Sequence, residues 1–161
     1  MKTQYFATSK QKLFYTILGT FFLAFSVLFG YVVVESWFTN AFEAFYRITS
    51  PLIFLISVSW TLRCFYRGYY EKITLSERGV EYNTLGYVVD IKWNTAKRLG
   101  TNWDGFYKST GLFASDYSMK KKSWLPNMFK ETFIPLSIFS SNWSDSDLGQ
   151  QIKLYAPHLF A

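Results

Sequence analysis

The sequence predicts an α+β membrane protein: a hairpin of two transmembrane helices, then a small β-rich domain that ends in one helix. Three observations predict it. Leu13 to Val34 is a stretch of 22 residues without a charge. A second apolar run, Ile48 to Leu62, lies between Arg47 and Arg63. From about residue 70 onward, continuous apolar runs give way to short alternating ones, and after Ser140 to a helical period.

The first run is long enough to span a bilayer. At 1.5 Å rise per residue it reaches about 33 Å, against a hydrocarbon core of about 30 Å. Lys10 and Lys12 close one end and Glu35 the other, with Phe14 and Tyr15, then Tyr31 and Trp37, near the two interfaces. That is the aromatic-belt pattern. A cleaved signal peptide needs an apolar core of about 7–15 residues and a small-residue cleavage site. This run is longer and no clear site follows it, so a retained helix is expected.

The second run has 15 uncharged residues, too few for a crossing by itself. Phe42, Phe45 and Tyr46 extend it backwards, and Cys64, Phe65 and Tyr66 forwards, while Arg47 and Arg63 can snorkel to the head groups. The two spans are therefore placed at about 13–34 and 45–66, within an anchor of residues 1–69. A re-entrant or interfacial helix is the alternative for the second. Pro51 is expected in its first turn or so, where a missing N–H costs least. The short connection from Glu35 to Glu43 favours an antiparallel hairpin, and the pairs Ser26/Gly30 and Ser57/Thr61 would allow close helix approach.

The charge, +6 overall, flanks the apolar segments. Residues 1–69 carry +4 and residues 70–161 carry +2. Lys2, Lys10 and Lys12 precede the first span, Arg63, Arg67 and Lys72 follow the second, and Arg47 is the only basic residue near the loop. The positive-inside rule then puts both termini, and residues 70–161 with them, in the cytoplasm. A nucleic-acid binder would need a Lys/Arg-dense stripe on its soluble part, and none is present. The single cysteine, Cys64, excludes an intramolecular disulfide, and one Cys and one His cannot build a four-ligand zinc site. Neither a cofactor nor a metal is expected.

In residues 70–161, Lys72–Ser76 alternates polar and apolar, Glu77-Arg78-Gly79 reads as a turn, and Val80–Thr84 reads as the return strand of a hairpin. Tyr87, Val89, Ile91 and Trp93 fall on one face and Val88, Asp90, Lys92 and Asn94 on the other, a strict period of two. Leu112–Ser118 and Glu131–Pro135 are weaker strands, Pro135 marking a strand end or an edge. Leu148, Ile152 and Tyr155 then share one helix face, with Asn142 or Ser144 as its cap, Asp145 and Asp147 near its N-terminus, and Pro157 as its stop. Short antiparallel strands followed by one helix pack as an α+β domain.

The segments Ile73-Thr74-Leu75-Ser76-Glu77-Arg78-Gly79-Val80, Ile91-Lys92-Trp93 and Phe133-Ile134-Pro135, with the terminal helix, resemble the bacterial pleckstrin-homology-like domains. With two membrane helices before such a domain, the chain resembles the YcxB-like group over nearly its whole length. The resemblance implies a seven-stranded, strongly bent β-sandwich or barrel closed at one end by the C-terminal helix. It implies location in the bacterial inner membrane and no enzymatic activity. The stretch Thr101–Lys130 departs from the pattern, being long and loop-like.

Lys120, Lys121 and Lys122, followed by Trp124, Leu125, Met128, Phe129 and Lys130, form the candidate site. The lysines, with Lys130, could dock on an anionic leaflet, and Trp124 and Phe129 could enter its interface. The bland alternative is a solvated loop, the usual fate of a charge run. Asp90, Asp104 and Asp116 have no spacing that brings them to one substrate, as general acid–base chemistry requires. Trp93 reads as core, Cys64 as a small apolar residue at the membrane boundary, and His158 as structural. No phosphate loop or nucleophile motif is present. The expected function is non-enzymatic: binding of a protein or of the lipid surface, as a regulatory or accessory subunit or an immunity protein. The partners are the bilayer and a membrane or cytoplasmic protein. The alternatives are a small membrane enzyme assembled only in three dimensions and a channel or transporter subunit, the latter disfavoured by spans without internal charge.

Overall fold

The computed structural model describes residues 2–38, 44–103, 108–122 and 132–160, with backbone alone at Ala44, Phe45 and Thr132. It divides into two compact units, Lys12–Gly68 on one hand and Met1–Gln11 with Tyr69–Ala161 on the other.

Two helices make the first unit: α1, Ser9–Phe38, and α2, Ala44–Tyr69. Both are long and apolar enough to cross a membrane. They overrun the expected spans at both ends, because polar flanks such as Ser9–Lys12 and Arg67–Tyr69 continue the helical hydrogen bonding. Pro51 is accordingly the eighth residue of α2 and lies inside the helix, not in its first turn.

The helices run antiparallel. A Cβ on Gly68 would stand 3.2 Å from Tyr15, one on Gly19 3.2 Å from the Phe65 ring, and one on Gly30 3.2 Å from the Phe54 ring. Phe22 stacks on Trp60 with centroids 5.8 Å apart. The contact residues Tyr15, Gly19, Phe22 and Ser26, and Phe54, Ser57, Thr61, Cys64 and Gly68, step by threes and fours, the spacing of a coiled-coil seam. The hydroxyls of Ser26, Ser57 and Thr61 donate to the carbonyls of Phe22, Ile53 and Ser57 at 2.8, 2.8 and 2.9 Å. Each is thus satisfied within its own helix, as an apolar setting requires.

The second unit holds eight strands among the described residues: β1 Thr3–Phe6, β2 Lys72–Ser76, β3 Gly79–Asn83, β4 Tyr87–Lys92, β5 Ala96–Trp103, β6 Lys108–Ala114, β7 Ser118–Lys121 and β8 Thr132–Pro135. One antiparallel sheet has the order β1-β2-β3-β4-β7 and the other β5-β6-β8. Helix α3, Asp147–Tyr155, follows. The α+β class is the one the sequence predicts.

Alternation sets which faces are buried. Ile73 and Leu75, Val80 and Tyr82, and Val89 and Ile91 point inward from the first sheet, and Leu112 and Ile134 from the second. They share one core with Leu136, Ile138, Phe139, Trp143, Leu148 and Ile152. Trp93 completes it, stacked on Tyr155 at 5.8 Å, its Nε1 donating to the Ser76 carbonyl at 2.8 Å.

Several local expectations are corrected. Thr3–Phe6, read with the anchor, pairs with β2 as an edge strand of the first sheet. The loop-like stretch Thr101–Lys130 contains the end of β5, all of β6 and all of β7. The strand from Tyr87 stops at Lys92, and Trp93–Thr95 forms a 3-10 turn that carries the chain into β5. Ser146, not Asn142 or Ser144, stands at the N-cap of α3, because Trp143–Asp145 forms its own 3-10 turn first. The Ser146 hydroxyl turns back to the Trp143 carbonyl at 2.7 Å. Ala156 ends α3, and Pro157 opens a further turn, as its missing N–H dictates.

Candidate functional site

The candidate site is assembled by strand register. Phe6 stands three residues before Ser9, the start of α1, and Lys72 three residues after Tyr69, the end of α2. They lie opposite each other in β1 and β2. From there one row crosses the sheet: Lys72 opposes Asn83, Asn83 opposes Val88, and Val88 opposes Lys120. Directly opposed residues project from the same face. The next positions along, Ile73, Tyr82 and Val89, are buried, so the row from Phe6 to Lys120 faces outward. Four strand spacings of about 4.8 Å make it about 19 Å long.

Lys122 joins this row through its side chain. Its Nζ donates to Asn83 Oδ1 and, at 3.2 Å, to the Thr84 carbonyl, while its N–H donates to the Gly86 carbonyl at 2.8 Å. Partial desolvation at this turn lowers the Lys122 pKa from the ordinary lysine value, with Lys72 adding to the shift and Glu81 opposing it. Lys121 opposes Tyr87 at the strand end and is exposed. The structure thus aligns Lys120 with Phe6, Lys72 and Asn83 and ties Lys122 to Asn83, whereas Lys121, opposite Tyr87, projects from the other face of the strand. Trp124, Leu125, Met128, Phe129 and Lys130 lie outside the described residues, as does Asp104. Phe6 carried no sequence signal, since nothing near it marks a strand. Lys72 is legible in the sequence as a flanking charge and as the start of a strand, but nothing there aligns it with Lys120.

The next row of the same face is polar: Gln4, Thr74, Glu81, Asp90 and Ser118. It places Glu81 directly opposite Asp90, a like-charge pair that costs stability. Farther along, at the end of β2 away from α2, an open cleft of about 430 Å³ is lined by Lys2, Glu77, Arg78, Glu81, Asp90 and Lys92. Gly79 shapes its floor: a Cβ there would stand 2.0 Å from the Ile91 carbonyl oxygen.

The remaining candidates have structural surroundings. Asp116 lies in the β6–β7 turn, its carbonyl accepting from the Thr95 hydroxyl at 2.9 Å. His158 Nε2 is 3.1 Å from the Ala96 carbonyl. Cys64 is buried in the helix seam. Among the described residues no group of three His, Cys, Asp or Glu side chains could hold a metal ion. One group that sequence reading missed is Glu71, buried two residues after α2 and accepting a hydrogen bond from the Tyr82 hydroxyl.

In comparisons with family models, curated proteins and solved structures, nothing matches this chain.

Proposed function

We propose that this is a non-enzymatic integral membrane protein of the YcxB-like, pleckstrin-homology-like kind, whose cytoplasmic domain rests its lysine row on anionic lipid of the inner membrane. The register that aligns Lys72 and Lys120 with Phe6 carries the reading. The row marks the end of the sheet where the chain leaves for α1 and returns from α2, so chain connectivity favours its closeness to the head groups. The pairing of β1 with β2 likewise supports both termini on one side, and the basic flanks support the cytoplasmic side. Each lysine near an anionic surface contributes about 1 kcal/mol. For a domain already tethered, weak contacts of this size suffice to set orientation.

The test uses the full chain in nanodiscs of neutral or anionic lipid, with a nitroxide on Ser118→Cys in a Cys64→Ser background. Dipolar relaxation from head-group-labelled lipid should reach this site in anionic nanodiscs, weaken at high salt, and weaken again when Lys72 and Lys120 become Gln. A site equally remote in both lipids sinks the reading.

A second reading, docking of a protein partner, is favoured by the cleft between Lys2, Arg78 and Lys92. Its opposed carboxylates Glu81 and Asp90 offer a seat for a partner's basic side chain. Cross-linking from a photoreactive residue at Arg78 in membranes would capture such a partner. A clean lane with a functional probe counts against it.

A further inference from the structure

We infer that Trp103 and Lys108, the last described pair of the β5–β6 ladder, form a second membrane contact, with the Trp103 ring seated among the lipid head groups. This rests on the reading that the domain lies on the leaflet.

The first observation is direction. Pro135 of β8 opposes Gly111 of β6. After Pro135 the chain makes the 3-10 turn Leu136–Ile138, and the Ile138 carbonyl accepts a hydrogen bond from the Thr8 N–H at 3.1 Å. Thr8 immediately precedes α1. The Gly111 end of β6, not its Ala114 end, therefore lies nearer Thr8, the residue that precedes α1. From Gly111 to Lys108 the strand continues three residues, about 10 Å, beyond that end.

The second observation is exposure. Leu99 opposes Leu112, Thr101 opposes Thr110, and Trp103 opposes Lys108, so Trp103 shares the core-facing side with Leu99 but stands past the end of the core. Its accessibility is 58%. Among the described residues, three other aromatic residues of this unit are exposed, Phe6, Tyr69 and Tyr70, and each lies within three residues of a helix end. Trp103 belongs with them by chemistry. An indole has an apolar body and an N–H donor, the combination favoured at a membrane interface. The Lys108 stem can lie along that ring while its ammonium reaches phosphate.

The experiment again uses the full chain in anionic nanodiscs and the Cys64→Ser background. A nitroxide on Thr101→Cys, which keeps Trp103, is compared with one on Ser118→Cys and one on Lys92→Cys. Accessibility to oxygen against a water-soluble nickel complex reads depth. The Thr101 label should be lipid-proximal and become water-accessible in Trp103→Ser but not in Trp103→Tyr, while the Lys92 label stays in water. A water-accessible Thr101 label beside a lipid-proximal Ser118 label overturns this inference and leaves the lysine-row reading intact. A lipid-proximal Thr101 label indifferent to Trp103→Ser also overturns it. If both labels are in water, both proposals fail.

Discussion

The Tyr5 hydroxyl donates a hydrogen bond to the Asp147 carboxylate, joining residues 142 positions apart. Tyr5 lies in β1, before the membrane hairpin, and Asp147 is the first residue of α3, the helix that closes the domain after it. With Thr8 bonded to Ile138 and Ala7 in the core, the residues ahead of the first span belong physically to the domain behind the second. The hairpin is thus an insertion between an edge strand and its neighbour.

Tyr5→Phe should lower stability by about 1 kcal/mol, the usual net worth of one hydrogen bond. Burial, then the Asp147 hydrogen bond and charge, raise the Tyr5 phenol above its ordinary pKa of 10.0. Above about pH 10 the unfolded chain releases this proton while the folded chain keeps it, so stability falls as pH rises. Tyr5→Phe lacks that component. Thermal unfolding in detergent should show the gap between the two proteins largest at neutral pH and shrinking above pH 10.

A fragment of residues 70–161 should fold poorly, because it leaves the β2 edge unpaired and Asp147 without Tyr5. Joining residues 2–8 to it through a flexible linker should restore dispersed amide resonances. Equal dispersion with and without residues 2–8 would show β1 to be dispensable.

Gly111→Ala should be among the most damaging single changes in the second sheet. Its Cβ would stand 2.1 Å from the Ile134 carbonyl oxygen and 2.7 Å from the Phe133 ring. Overpacking of this kind costs about 1–3 kcal/mol, and backbone on one side places this case at the upper end. Chemical denaturation followed by near-ultraviolet circular dichroism measures it.

Gly19→Leu should part the helix hairpin, since even a Cβ there stands 3.2 Å from the Phe65 ring. A disulfide between Ser26→Cys and Ser57→Cys, opposed across the antiparallel seam, should form readily in the parent and slowly in the variant. Val27→Leu on the exposed side of α1 should leave the rate unchanged.

Lys122→Gln should loosen the β3–β4 turn, because the Asn83 and Thr84 bonds are lost, whereas Lys120→Gln should not. Hydrogen exchange at Thr84 and Tyr87 separates the two.

The two apolar helices, the strands β2, β3 and β4, and the buried face of α3 are legible in the amino-acid order alone. In each, a period of 2 or 3.6 recurs over enough residues to be read locally. The same order also marks Lys120–Lys122 as a cluster. Only the tertiary structure placed β1 and β5 in sheets. Thr3–Phe6 is four residues long and merges into an apolar helix, and Lys97-Arg98 breaks the alternation of β5 at the sheet edge. Only register, a long-range property, could align Lys120 with Phe6, or Trp103 with Lys108 beyond the core. Local pattern records which face a residue takes; which neighbours it meets there depends on pairing between segments far apart in the chain.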